Sequence, residues 1–360
     1  MAMGEIFTGP QGGCHIQGIA VDEKRRFIYC SFTTKLIKYD FEGNIVGSVT
    51  GLTGHMGCIT FCAEDGRVYG SLEYKNDTIG RGVRRSIGVQ RENEDAFYLV
   101  SFDTEKITQP DMDAFSGGIM RAMYLKEATD DYLGTGMDNE GLTVPHRYGC
   151  SGVDGTGYAP LPGEKSGEKY LMVAYGVYHD KNRSDNDNQI ILAYTRDTFD
   201  RFAQPLCEEH MHRLGPLTPA HKYFVYTGNT DWGVQNLEYD AYTGDIFLAV
   251  YPGSKPQFKN RPLLRINGKI GAKPQRIPGC DETGEMLTLV DEGMDFAYGS
   301  TGMYAFGDGG FLFSHNDRVN GEECAYLRYY RFDREKSTFI CGTDSPNAPD
   351  RRQGNSAITG

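Results

Sequence analysis

The chain has 360 residues, 39% of them hydrophobic and 24% charged, and a formal net charge of −12. That acidity excludes a general nucleic-acid binder, which needs a basic footprint. No apolar run of about 18 residues exists, so no membrane span is expected.

The length allows one large domain or two to three ordinary ones, and it buries a core without staples. Glycine (46), tyrosine (23) and phenylalanine (19) are abundant, and Trp232 is the sole tryptophan. Aromatics suit pleated surfaces and glycine supplies left-handed turns, so many strands joined by tight turns are expected. The nine cysteines show no CxxC and no framework spacing; Cys30, Cys58 and Cys62 sit in apolar runs, as reduced core thiols do. The opening MAMGEIFTGP has neither a basic nor an apolar leader region, which sets the expectation of a chain without a signal peptide in a cytoplasmic setting.

In chain order, EIFTG (5–9) reads as a short strand. HIQGIAVDEKRRFIYCSFTTKLIKYDFEGNIVGSVTG (15–51) then parses as four strands separated by turns. The pattern returns in HMGCITFCAEDGRVYGSLEY (55–74) with AFYLVSFDTEK (96–106). It returns again in HRYGCSGVDGTGYAPL (146–161) with KYLMVAYGVYHD and QIILAYTRDTFD. Two more copies start at DWGVQNLEYDAYTGDIFLAVY (231–251) and AYGSTGMYAFGDGGFLFSH (297–315). Turns such as AEDGR and FGDGG carry the Asp and Gly that hairpins demand. Aligned on Gly18, Gly57, Gly149, Gly233 and Gly299, only the first spacing approaches the roughly 40–50 residues of a bare propeller blade. The others carry insertions, including a short helix expected within 104–145 and an extended excursion at 205–224.

These repeats predict an all-β, five-bladed β-propeller, with blades at about 11–52, 53–128, 146–228, 229–292 and 293–342. A sixth blade within 100–145 is the alternative. Residues 1–10 or the segment STFICG close the ring, and 343–360 read as an irregular tail. The phrase GIAVDEKRRFIYCSF resembles the NHL and SMP-30-like propellers, whose blades open with a Gly-hydrophobic-Asp phrase. The resemblance covers blade texture along most of the chain and implies no particular catalytic residue.

In a propeller, the loops leading into inner strands share one face with the loops joining strands two and three, and function sits where such a face is elaborated. The first set places His15 with Gln17, His55, His146 with Arg147 and Tyr148, and Asp231 with Trp232 and Gln235. Tyr298 follows in the last unit. The second set contributes Glu73, Lys75, His179, His315 and Arg318 from long polar loops. His15, His55, His146 and Asp231 recur at one structural position. Imidazoles with a carboxylate suit one divalent metal ion in the central channel, or general-base work. A polar pocket without metal and a histidine that caps a strand are the other readings. The remaining residues are expected to bind substrate. The loop cations, in an otherwise acidic chain, add the expectation of a small polar or anionic ligand.

EEHMH (208–212) lacks a third ligand, and NRSDNDN lacks the Gly and Glu of a calcium loop. No GxSxG, P-loop or HExxH occurs. The expected function is a metal-assisted hydrolase or lyase acting on a small polar, phosphate-, carboxylate- or sugar-like substrate. The alternative is a non-catalytic propeller that binds a carbohydrate, peptide or protein partner on the same face.

Overall fold

The computed structural model describes residues 4–342; the expected tail, 343–360, lies outside the described residues. Alternating apolar and polar residues between Asp/Gly turns build five small sheets that stand in a ring as a five-bladed β-propeller. The first blade is Ile16–Asp22, Phe27–Phe32, Lys35–Asp40 and Ile45–Thr50, all antiparallel. Its turns close on aspartates: Asp22 accepts the Arg25 N–H, and Asp40 accepts the Glu42 and Asn44 N–H groups. His55–Cys62, Arg67–Tyr74, Ala96–Asp103 and Met120–Tyr124 form the second blade.

The third blade runs Cys150–Pro160, Lys169–Val177, Asn188–Tyr194 and His221–Tyr226. Thr283–Leu287 then adds in parallel to His221–Tyr226, and Lys273–Arg276 extends the edge. Within the 229–292 expected for the fourth blade, residues 273–287 thus join the third blade's sheet. The fourth blade holds Thr230–Asp240, Asp245–Pro252 and Leu263–Ile266, and Leu289 and Met294 bridge back to Ile266 and Leu263. No sixth blade forms in 100–145. After Met120–Tyr124 that stretch makes the helix Lys126–Leu133 and a hairpin of Thr135–Met137 with Thr143–Pro145.

Met303–Ala305, Gly310–Val319 and Glu322–Asp333 make the fifth blade. Both expected closing segments pair with its last long strand. Ile6–Phe7 takes Tyr326 and Leu327, and Thr338–Cys341 takes Tyr330 through Asp333. The two ends of the described chain thus share one edge.

Among the described residues, the apolar core divides into five clusters, one between each pair of adjacent blades. Toward the axis, side chains give way to close backbone approach. A Cβ on Gly18 would stand 2.7 Å from the Ile59 amide nitrogen, so only glycine lets the first two inner strands meet there.

Asn236 fills the axis itself. Its Nδ2 donates to the carbonyl oxygens of Gln17 (2.9 Å) and Ser300 (3.4 Å), and its Oδ1 accepts from the Met303 N–H (3.3 Å). The Cys58 sulfur lies 3.3 Å from both that Oδ1 and the Thr156 carbonyl oxygen. One amide and one thiol therefore touch all five inner strands. Two residues further along the same strand, Glu238 Oε2 accepts from the Ala305 N–H, while Oε1 is buried without a hydrogen-bond partner among the described residues. Burial pushes the Glu238 carboxyl well above the usual carboxylate range.

Two outcomes are expected. Asn236→Ala strands the Gln17 carbonyl and the Met303 N–H in the core and lowers unfolding free energy by about 2–4 kcal/mol. Chemical denaturation checks this, and Asn236→Asp, which cannot donate to Gln17, loses at least as much. For Glu238 the folded state holds the proton more tightly than the unfolded chain. Its contribution is intact below the ordinary value of about 4.5 and is lost as pH rises toward the folded value. Stability measured from pH 5 to 8 falls less steeply in Glu238→Gln than in the wild type.

Candidate functional site

At one mouth of the ring, above Asn236, lies a cavity of about 590 Å³, a size at which small-molecule sites occur. The starts of the inner strands line it with His15, Gln17, His55, Ser151, Asp154 and Asp231, and Trp232 and Gln235 follow in the fourth blade. Second strands add Glu73, Lys75 and Tyr251. The last wall is the helix Thr78–Ser86, which presents Thr78, Ile79, Gly82, Val83 and Ser86. The sequence reads residues 73–85 as a long polar loop joining two strands. Asp77 nevertheless caps it by accepting the Gly80 N–H, and Arg84 and Arg85 complement its C-terminal end. Arg84 also ties it down through the Lys75 carbonyl and the Asn76 side chain.

The cavity wall holds a compact charge cluster. Glu73 and Lys75, each 4% exposed, meet at 2.7 Å. Lys75 also donates to the Ser151 carbonyl (2.7 Å) and stands 3.7 Å from Asp77. The other Glu73 oxygen accepts the Val153 N–H at 3.2 Å. His55 Nδ1 lies 3.4 Å from Glu73 Oε1, an ion-pair contact without hydrogen-bond alignment. Burial alone lowers the His55 pKa, but Glu73 and Asp154 outweigh it and hold the imidazole above its ordinary value. His15 is shifted the other way, by burial and then by the His55 charge, and its Nε2 sits 3.1 Å from the Gln17 amide nitrogen.

Asp154 completes the cluster. Burial raises its carboxyl to about 7; the Glu73 charge adds to the rise, while His55 and Lys75 oppose it. Its Oδ1 is enclosed without a hydrogen-bond partner among the described residues, and its backbone carbonyl accepts from Ser71 Oγ at 2.6 Å. Gly57 makes this possible, since a Cβ there would stand 2.2 Å from Asp154 Oδ1.

Several expected residues fall elsewhere. The imidazole ring is incomplete: His146, with a left-handed backbone (φ 64°), is turned to the Tyr132 carbonyl (2.6 Å) and packs between Tyr132 and Tyr178, outside the cavity lining. Arg147 and Tyr148 both hold Glu282 at the outer side of the third blade. His179 pairs with Asp231 at 2.9 Å, and both remain partly exposed. Tyr298 and His315 stack on each other at 3.7 Å, and His315 also meets the Tyr330 hydroxyl, apart from the cavity lining. Arg318 pairs with Glu323 on an exposed hairpin. Two further loop cations are likewise engaged: Arg183 with Asp185, and Lys255 with Asp187. Glu208 of EEHMH is structural, accepting from Thr53 and from the Tyr74 hydroxyl.

For a metal, the residues present do not gather. Among the described residues no three His, Cys, Asp or Glu side chains form a ligand group. The lining that sequence reasoning missed is Asp154, Ser151, Thr33 and Tyr251, together with the helix wall.

Removing one partner of a buried pair exposes the other's desolvation cost. Lys75→Met, leaving Glu73 unpaired, is expected to destabilise by about 3–5 kcal/mol, and the double variant Glu73→Gln/Lys75→Met recovers part of that loss. Urea melts of the three variants check the coupling.

No protein-family model matches the chain, and the search of curated proteins finds no match. The structure shows the five-bladed propeller, and no family match supports the NHL and SMP-30-like blade texture.

Proposed function

We propose that the mouth cavity binds a small polar ligand and acts on it by general acid–base chemistry, with Asp154 moving the proton. One observation carries this reading: a carboxyl on the cavity wall holds its proton up to about pH 7, with one oxygen unpartnered. Proton transfer is most effective when the group's pKa lies near the working pH, and perturbed groups concentrate at functional sites.

The neighbours divide the labour. Glu73 and Lys75 form a fixed, mutually neutralising pair that supports the site. His55, whose proton affinity Glu73 and Asp154 raise, favours the ionised state of Asp154 and so tempers the effect of burial. Neutral His15 and the amides of Gln17 and Gln235 supply uncharged donors and acceptors. Hydrolysis and elimination are both reactions that such a group serves, and neither requires a metal ligand set here.

The carboxyl carbon of Asp154, followed by NMR in aspartate-labelled protein and assigned with Asp154→Asn, is expected to titrate with a midpoint near 7. With a turned-over substrate in hand, Asp154→Asn lowers kcat by about 10²–10⁴-fold. A midpoint in the ordinary carboxylate range overturns the acid–base reading and leaves a cavity that binds without chemistry.

A further inference from the structure

We propose that the ligand of this cavity is an uncharged, hydroxyl-rich ring, a neutral saccharide, seated against Trp232. The inference shares the cavity with the acid–base reading and names its substrate class.

Charge decides against an anion. A lysine ammonium has three N–H donors, and Lys75 already faces Glu73, the Ser151 carbonyl and Asp77. His55 faces Glu73. A phosphate or carboxylate entering the cavity would meet cations already committed to Glu73 and Asp77, and beside them the carboxylate of Asp231. Like charges at close range in a partly desolvated site are strongly unfavourable. The lining also carries neutral polar side chains, Gln17, Thr33, Gln235 and Tyr251 among them. Such groups match hydroxyls, which both donate and accept.

Trp232 supplies the apolar platform. Its backbone is left-handed (φ 66°), a genuine outlier for a bulky residue, and it precedes Gly233 (φ 76°). The register slips between Asp231 and Val234, so a bulge holds the pair. Gly233 fits beneath it because a Cβ would lie 2.4 Å from the Tyr175 carbonyl. The indole meets Tyr178 edge-on at 5.9 Å, and the half-buried residue lines the cavity. Gln235 Nε2 donates to its carbonyl at 3.0 Å and fixes the turn. Strained backbone of this kind persists where surrounding structure over-determines it, and here it holds a large aromatic residue in the cavity lining. An aromatic face pairs well with the C–H face of a sugar ring, while the rim hydroxyls reach the amides.

Because Trp232 is the only tryptophan, its emission reports the site directly. The full chain is titrated with methyl glucoside, methyl galactoside, methyl xyloside and cellobiose, and with glucuronate and glucose 6-phosphate as anionic counterparts. At least one neutral saccharide is expected to shift or quench the emission saturably, with the anions binding about tenfold or more weakly. Trp232→Gly keeps a residue suited to the left-handed backbone, so it should fold. By calorimetry it is expected to lose about three- to tenfold in affinity, and Trp232→Phe less.

Tighter binding of an anion, or an emission indifferent to every neutral saccharide, overturns the proposal. The two readings fail separately. If Asp154 titrates near neutrality and no saccharide binds, only the substrate class falls. If a saccharide binds and Asp154 titrates as an ordinary carboxyl, only the acid–base role falls.

Discussion

The structure depends on how five inner strands close around an axis too narrow for a row of large side chains. Asn236 answers that constraint. It carries two donors and two acceptor lone pairs, and it spends them on the Gln17 and Ser300 carbonyls and the Met303 N–H, with the Cys58 thiol alongside. An apolar side chain in its place would leave those backbone groups orphaned. The same amide separates two environments. Above it lies the polar cavity; beyond it lies Glu238, enclosed and drawn toward its neutral form.

The electrostatics of the cavity follow from counting charges in a small volume. Glu73, Asp154, His55 and Lys75 influence one another's proton affinities, and Asp77 lies within reach of Lys75. Lys75 stabilises the nearest carboxylates, and its ammonium is held in the charged form by Glu73 and Asp77 against the cost of burial. Asp154 has no such ammonium contact, so burial prevails there and its carboxyl retains a proton to higher pH than usual. The cluster titrates as a coupled unit, with Asp154 the member whose carboxyl burial raises.

How much of this was legible in the sequence depends on which physics sets each feature. Hairpins at DEKRR, AEDGR and FGDGG are local, since Asp side chains and positive-φ glycines fix the turn themselves, and the blade pattern could be read from them. Residues 273–287 could not be assigned that way, because their parallel docking on His221–Tyr226 is a long-range choice. The helix Thr78–Ser86 contradicts its own glycines and is held by Asp77 and Arg84, whose partners are settled only in the fold. Aligning units by glycine correctly brought His15 and His55 to the mouth. It failed at His146, where left-handed residues at His146 and Tyr148 break the alternation and the Tyr132 carbonyl takes the ring. Asp154, in VDG, resembles a turn aspartate; only the closeness of Gly57 on the neighbouring strand reveals it as a wall residue.

Closure of the ring and construction of the site are accordingly not separate achievements. The Gln17 carbonyl anchors Asn236, while its side chain reaches His15 and Thr33 in the cavity. Gln235 precedes Asn236 and holds the Trp232 carbonyl. Ser31 bonds the Gly57 carbonyl, and Gly57 in turn sets how closely Asp154 approaches. Each cavity group is attached to a strand whose position the axis fixes, so its placement inherits the rigidity of the ring. Sites built on strands in this manner hold their geometry more tightly than sites carried by loops. The helix wall Thr78–Ser86 is the part of the cavity not carried by a strand at the axis.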